Sequence, residues 1–297
     1  MSYRLIVTDI DGTLLSRQGL ILPGTRAELA RARAAGATLA LASGRPLPGL
    51  RRLVRDMHLD PSGLVLIGVN GAVVADAASG QVYNRRALEP SITARICTIA
   101  QSYPVTTMFC AGDDLIAADP DAERVGMEVK GNEMNFVHLP DMTRVEVPVD
   151  KVLLCGPNKV LTELAGVIRA EVGQDTESSF SAPYYFEATA AGVDKGSAVR
   201  AYAESVSIPM EQVVAFGDNY NDLPMINAAG MGVAMGNAVE EVRAAADRVT
   251  ASHDEEGIAE VLADLFGDGS PAERSEELKA NTMYEVSFEE LLSPGGE

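Results

Sequence analysis

The chain has 297 residues, 46% of them hydrophobic, and a formal net charge of -19. Length alone suggests about two domains with a substantial core, and the excess of acid disfavours nucleic acid and anionic membranes, which need clustered Lys and Arg to neutralise phosphates. An anionic small-molecule substrate would then need local positive groups or a metal.

The first predicted element is a strand. Leu5, Ile6 and Val7 form a short apolar run, read as buried on both faces, and Asp11-Gly12 ends it. Asp9 and Asp11 stand at its exit. Residues two apart on a strand share a side, so both acids are expected to face one cavity beyond the carboxyl end of a sheet, where open α/β sheets bind ligands. That spacing suits one nucleophile and one proton carrier. No long apolar segment lies near the start, so no secretory signal is expected, and the longest apolar stretch, Gly63 to Ala75, is broken by Asn70 and too short to span a bilayer.

Pro23 can open a helix that Gly36 terminates. Thr38 to Ala42 is a second strand, followed by Ser43-Gly44-Arg45 and a helix from near Leu47. A strand, a small polar turn and a helix N-terminus in sequence make an anion site, because free backbone N–H groups and the helix dipole point at the loop. Leu64 to Gly68 reads as a third strand, and Ala72 to Ala75 with Gln81 to Asn84 as a hairpin. The alternation to this point predicts a doubly wound parallel sheet, a Rossmann-like core.

From about Arg85 the pattern changes. Helices over Pro90 to Ser102 and Val160 to Val172 are interspersed with short strands at Val105 to Cys110, Leu115 to Ala118, Lys151 to Gly156, Thr176 to Ser181 and Tyr184 to Ala188. Strands clustered with two helices predict an α+β module, so residues 85–187 are read as an inserted domain between core segments 1–84 and 188–267. Cys97, Cys110 and Cys155 lack CxxC or Cys/His spacing and are read as packing residues, which argues for a reducing cytoplasm. The core then resumes with a helix from Lys195 to about Ser205, a strand Val213 to Phe216 ending in Gly217-Asp218-Asn219-Tyr220-Asn221-Asp222, a helix Leu223 to Ala229, a strand Met231 to Ala234 and a helix Ile258 to Phe266.

Residues 268–297 turn to Gly, Ser, Pro and Glu, the composition of an acidic tail. Within it Ser287 and Glu290 fit a capping box, and Phe288, Leu291 and Leu292 share a helical face, so a short helix docked on the core or on a second subunit is expected there. The oligomeric state is left open.

Asp218 and Asp222 follow an apolar strand as Asp9 and Asp11 do, which gathers four carboxylates at one sheet edge. They repel one another unless a cation is bound, and hard oxygens without His or Cys suit Mg²⁺. Lys195 could hold both a nucleophilic carboxylate and a phosphate, with Ser43 and the Gly44 N–H on the same phosphate. Together these pieces resemble the haloacid dehalogenase-like hydrolases, specifically the Cof-type phosphatases with an inserted α/β cap. The resemblance rests on DIDGTLL at Asp9 to Leu15, SGR at Ser43 to Arg45, Lys195-Gly196 and GDNYND at Gly217 to Asp222, with GVAMGNA at Gly232 to Ala238 in support.

That resemblance implies a phosphatase acting on a small phosphorylated metabolite, with Asp9 as nucleophile and Asp11 as acid and base. It implies Mg²⁺ on Asp9, the Asp11 carbonyl and Asp218, supported by Asp222, and a phosphate held by Ser43, Gly44 and Lys195 with Asn221 nearby. Arg45, Asn70 and the cap are candidates for contact with the leaving group. A phosphomutase and a non-catalytic phosphometabolite sensor are the competing readings; phosphate release from a simple ester separates them from a phosphatase.

Overall fold

The computed structural model describes residues 3–267, so the acidic tail and its expected helix lie outside the described residues. The core strands are β1 (Leu5–Asp9), β2 (Thr38–Ala42), β3 (Leu64–Gly68), β4 (Val73–Asp76) and β5 (Val82–Arg85). Those of the inserted cap are β6 (Thr106–Ala111), β7 (Asp114–Ala117), β8 (Asn135–His138), β9 (Lys151–Cys155), β10 (Thr176–Ala182) and β11 (Tyr185–Ala190), after which the core adds β12 (Val213–Gly217), β13 (Met231–Ala234) and β14 (Arg248–Val249). The helices are α1 (Pro23–Ala34), α2 (Leu47–Asp56), α3 (Pro90–Ala100), α4 (Val125–Asn132), α5 (Asn158–Val172), α6 (Lys195–Ser205), α7 (Leu223–Ala228), α8 (Glu240–Ala245) and α9 (Gly257–Phe266).

The core sheet has the order β14-β13-β12-β1-β2-β3-β4-β5, parallel from β14 to β3 and antiparallel through the β3-β4-β5 hairpins. Alternation along its strands explains why it is wound on both faces. Ile6, Leu39, Leu41, Leu64, Leu66, Val214 and Phe216 pack under α1, α2 and α9, whereas Leu5, Val7, Ala40, Ala42, Val65, Ile67, Val213 and Ala215 pack against α6 and α7. The chain winds outward from β1 to β3, leaves for the cap, and returns on the other side of β1 as β12. The switch point therefore lies between β1 and β12, where their carboxyl ends diverge to leave a crevice.

The cap sheet runs β10-β11-β9-β6-β7-β8 and is antiparallel except for the parallel β7-β8 pair. Helices α3 and α5 cover one face through Phe109, Val152, Leu154 and Phe186. A third helix, α4, joins the two expected from the sequence. Its eight residues include two glycines and lack a clear apolar period, and it is entered and left through left-handed residues, Arg124 (φ 66°) and Glu133 (φ 52°). Tertiary contacts, with Val125 buried in the cap, override weak local propensity there. The cysteines are free and buried, and burial pushes the Cys97 and Cys110 thiols up to about 12. Among the described residues no helix is long and apolar enough to cross a membrane.

Candidate active site

Four loops meet at the switch point because four elements end or begin there. Asp9 is the last residue of β1, Ser43 follows β2, Asp218 follows β12, and Lys195 opens α6 behind a capping box formed by Asp194 and Ser197. Lys195 has no exposed surface. Its ammonium donates to Asp9 Oδ1 at 2.5 Å and to Asp222 Oδ1 at 2.6 Å, so one cation lies between two carboxylates. Burial favours the neutral amine, but Asp9 and Asp222 outweigh it and hold the Lys195 pKa above the ordinary lysine value. Burial pushes the Asp9 carboxyl up to about 7; Lys195 opposes this, and Asp222 and Asp218 add to it.

Asp222 is fully buried, and its other oxygen accepts from the Asp218 and Asn219 backbone N–H groups at 2.9 and 3.0 Å. Both of its oxygens are therefore committed to orienting neighbours. Asp218 accepts from Thr13 Oγ1 through Oδ1 at 2.7 Å, which leaves Oδ2 for a cation, as Asp9 keeps its own Oδ2. Asp9, Asp218 and Asp222 each bring a carboxylate oxygen within 4.8 Å of the others. The set is all hard oxygen and carries more negative charge than one lysine balances, so it fits Mg²⁺. Gly12 gives the backbone its path between these acids: its φ is +91°, and a Cβ there would lie 2.6 Å from Asp218 Oδ2. Asn237 fixes the same turn, donating to the Gly12 carbonyl at 2.8 Å.

The carboxylate of Asp11 does not join this group. The alternation that would put it beside Asp9 stops where β1 ends, at Asp9; Ile10 turns into the core and Asp11 points to the cavity mouth. There Arg45 grips it with a fork, Nη2 at 2.7 and 2.9 Å and Nε at 3.2 Å. Ser43 is buried, and its Oγ accepts from the Arg45 N–H at 3.2 Å. Ser43, Gly44, Arg45, Asn70, Asn221 and Asp11 share the core side of a cavity of about 420 Å³, whose roof belongs to the cap. Asn221 reaches it through Asn70, donating to Oδ1 at 3.1 Å. Of the residues read from the sequence, Asp9, Lys195, Asp218 and Asp222 thus form a buried cluster, while Ser43, Gly44, Asn221 and Asp11 line the adjoining cavity. Thr13, Asn237 and the Arg45–Asp11 pair were missed, since each depends on a partner far away in sequence; the GVAMGNA stretch contains Asn237 but does not mark what it holds.

A family model described as haloacid dehalogenase-like hydrolase matches residues 6–262. The chain belongs to that family. A Bacillus subtilis protein named as a candidate phosphatase, YxeH, is 31% identical to this hydrolase over 267 residues, covering 89% of this chain and 98% of that one. An Escherichia coli pyridoxal phosphate phosphatase, YbhA, is 26% identical over 272 residues, covering 88% and 98%. The crystal structure of a haloacid dehalogenase-like hydrolase from Bacteroides thetaiotaomicron superposes with a TM-score of 0.80 at 31% identity, covering 89% of this hydrolase and 100% of that chain.

Proposed function

We propose that this hydrolase is a Mg²⁺-dependent phosphatase that frees a small phosphorylated metabolite of its phosphate through an aspartyl-phosphate on Asp9. The observation that carries the reading is Lys195, buried without exposed surface between Asp9 and Asp222 at the switch point and beside an anion-receptive loop. Relatives named as phosphatases, one of them for pyridoxal phosphate, support the reaction class.

Lys195 orients the Asp9 carboxylate and, with the Ser43 hydroxyl and the Gly44 N–H, holds the phosphate oxygens. Asp9 Oδ2 and Asp218 Oδ2, with the Asp11 carbonyl, would hold Mg²⁺, and Asp222 keeps Lys195 and the Asp218 turn in place. The ion, when bound, neutralises charge between the carboxylates and the phosphate. Ionised Asp9 attacks phosphorus as the bond to the leaving oxygen breaks; Asp11 gives that oxygen its proton and afterwards takes one from the water that hydrolyses the acyl phosphate. Arg45 keeps Asp11 at the mouth of the cavity, where leaving group and water enter. The insert between β5, which ends at Arg85, and the end of β11 at Ala190 serves as the cap, so the boundary expected at 187 falls inside its last strand.

The full chain is expected to release inorganic phosphate from para-nitrophenyl phosphate with Mg²⁺ and to stop in excess chelator. Asp9→Asn, which keeps shape but not charge, should lower turnover by about three orders of magnitude or more. Release that survives this substitution would remove Asp9 from the mechanism.

A further inference from the structure

A groove of about 390 Å³ opens where the cap rests on α2. Gly49, Arg52 and Leu53 fall three and four apart, so one face of α2 lines it, with Leu15 and Met57 from the core and Gly131 from the cap. Beside it the two domains touch closely: a Cβ on Gly49 would collide with Asn132 Oδ1. Leu20, farther along the Leu15 loop, is 47% exposed and adds apolar surface on the core side. Arg45 stands between this groove and the catalytic cavity and lines both.

The charge around the groove is opposite to that of the whole chain. Residues 1–60 carry nine arginines and five acids in a chain whose net charge is -19. On α2, Arg51 and Arg55 are partly exposed, each with one carboxylate partner among the described residues, Asp113 and Glu133. A guanidinium has five N–H donors, so each can take a second acid. Residues 268–297 hold eight acids and two basic residues. Within them Phe288, Leu291 and Leu292, spaced to share one helical face, are flanked by Glu285, Glu289 and Glu290. An apolar stripe edged with carboxylates matches a groove of leucines and glycines edged with arginines.

The tether decides the occupant. Helix α9, from which these residues continue, packs on α1 and enters the same apolar cluster as Leu53 of α2. The stretch 267–282 spans about 50 Å when extended, against a core roughly 40 Å across. A segment tethered at that length meets the groove at an effective concentration on the order of millimolar, far above that of a second copy in dilute solution. We propose that Tyr284 to Leu292 dock in this groove of their own chain, with Phe288, Leu291 and Leu292 inward and their glutamates on the α2 arginines, as a strap between core and cap. While seated, the segment touches α2 and Gly131 at once, so the cap cannot lift from α2 until the segment lets go. The inference does not depend on the reaction.

The test puts p-benzoylphenylalanine in place of Phe288 in the full chain, irradiates it and maps the adduct by mass spectrometry. An adduct within residues 15–20, 45–57 or 128–133, in a band of monomer mass, is expected. An adduct elsewhere in the chain, one only between two copies, or none overturns the proposal. Hydrogen exchange then reads the strap without a probe, in the variant Phe288→Ser/Leu291→Ser/Leu292→Ser, whose substitutions lie beyond α9 and leave the core and cap sequences as they are. Exchange at α4 and at residues 15–20 should be about tenfold faster than in the unaltered chain, with α3 and α5 unchanged. A change within about twofold, or one spread evenly over the chain, would mean that the segment does not hold the seam, and overturns the strap.

Discussion

Lys195 stays charged without any exposed surface because Asp9 and Asp222 flank it, whereas burial, against the pull of Lys195, keeps Asp9 from ionising readily. In the unfolded chain Asp9 loses its proton near 3.8, whereas in the metal-free fold it keeps it to about 7. Over that window the folded state binds more protons than the unfolded one, so stability is fullest in acid and declines as pH rises. Asp218, raised mainly by its own burial, has the same sign. In chelator the melting temperature should therefore fall between about pH 4 and about pH 7, and Asp9→Asn, which cannot ionise, should flatten the fall. Calorimetry across that range checks it, and a melting temperature that rose with pH in chelator would contradict the buried-acid account. Asp9, Lys195 and Asp218 were legible because each stands at the end of a strand or the start of a helix, a position local pattern can locate. Lys151, on cap strand β9, was not: one charge beside an apolar run carries no sign of what it faces, and only the fold brings its ammonium to within 3.3 Å of the Gly44 carbonyl.

The single turn Val69–Gly71 after β3 braces the loop that carries Ser43 and Gly44. Its backbone N–H groups at Val69 and Asn70 donate to the carbonyls of Arg45 and Ser43, both at 2.9 Å. Val69 and Asn70 adopt φ of 52° and 53°, and a β-branched residue in that region is strained by about 1–3 kcal/mol. Gly71 follows at φ +107°, so close to α6 that a Cβ would lie 2.3 Å from the Asp194 carbonyl oxygen. Gly71→Ala should destabilise the protein by about 2 kcal/mol or more and lower kcat by displacing the helix that presents Lys195. Urea unfolding measures the first effect, and a variant as stable as the original would refute the close approach. The core strands were legible as apolar runs bounded by turns. Helix α8 and the two-residue strand β14 were not, because six- and two-residue elements hold too little of a period to register and exist by docking on β13 and α7.

At the scale of the molecule, two groups of contacts hold the cap to the core besides the hydrogen bond from Lys151 to the Gly44 carbonyl. On one side its two connections lie together, joined by Arg86 Nη1 donating to the Gly192 carbonyl at 3.0 Å. On the other, α2 turns arginines towards the cap: Arg51 pairs with Asp113 at 2.5 Å, Arg55 with Glu133, and Arg52 donates to the Lys130 carbonyl at 3.0 Å. These pairs are partly exposed, worth roughly 0.2–1 kcal/mol each, and screened within about 3 Å at 1 M salt. Raising salt to about 1 M should open the cap and enlarge the radius of gyration in small-angle scattering, and the Arg51→Ala/Arg55→Ala variant should already be enlarged and respond less. Radii unchanged by salt and substitution alike would deny the arginines that role. The order of the core strands has a consequence for how the enzyme comes into being. As the chain is synthesised, β1 can pair with β2 at once, but its other neighbour, β12, is made only after the whole cap. Until then one edge of β1 is open and Asp9 has neither Lys195 nor Asp218 beside it. Pairings so distant in sequence form slowly. The nascent chain is therefore an inert half-sheet, and it acquires its chemistry only when its longest loop closes.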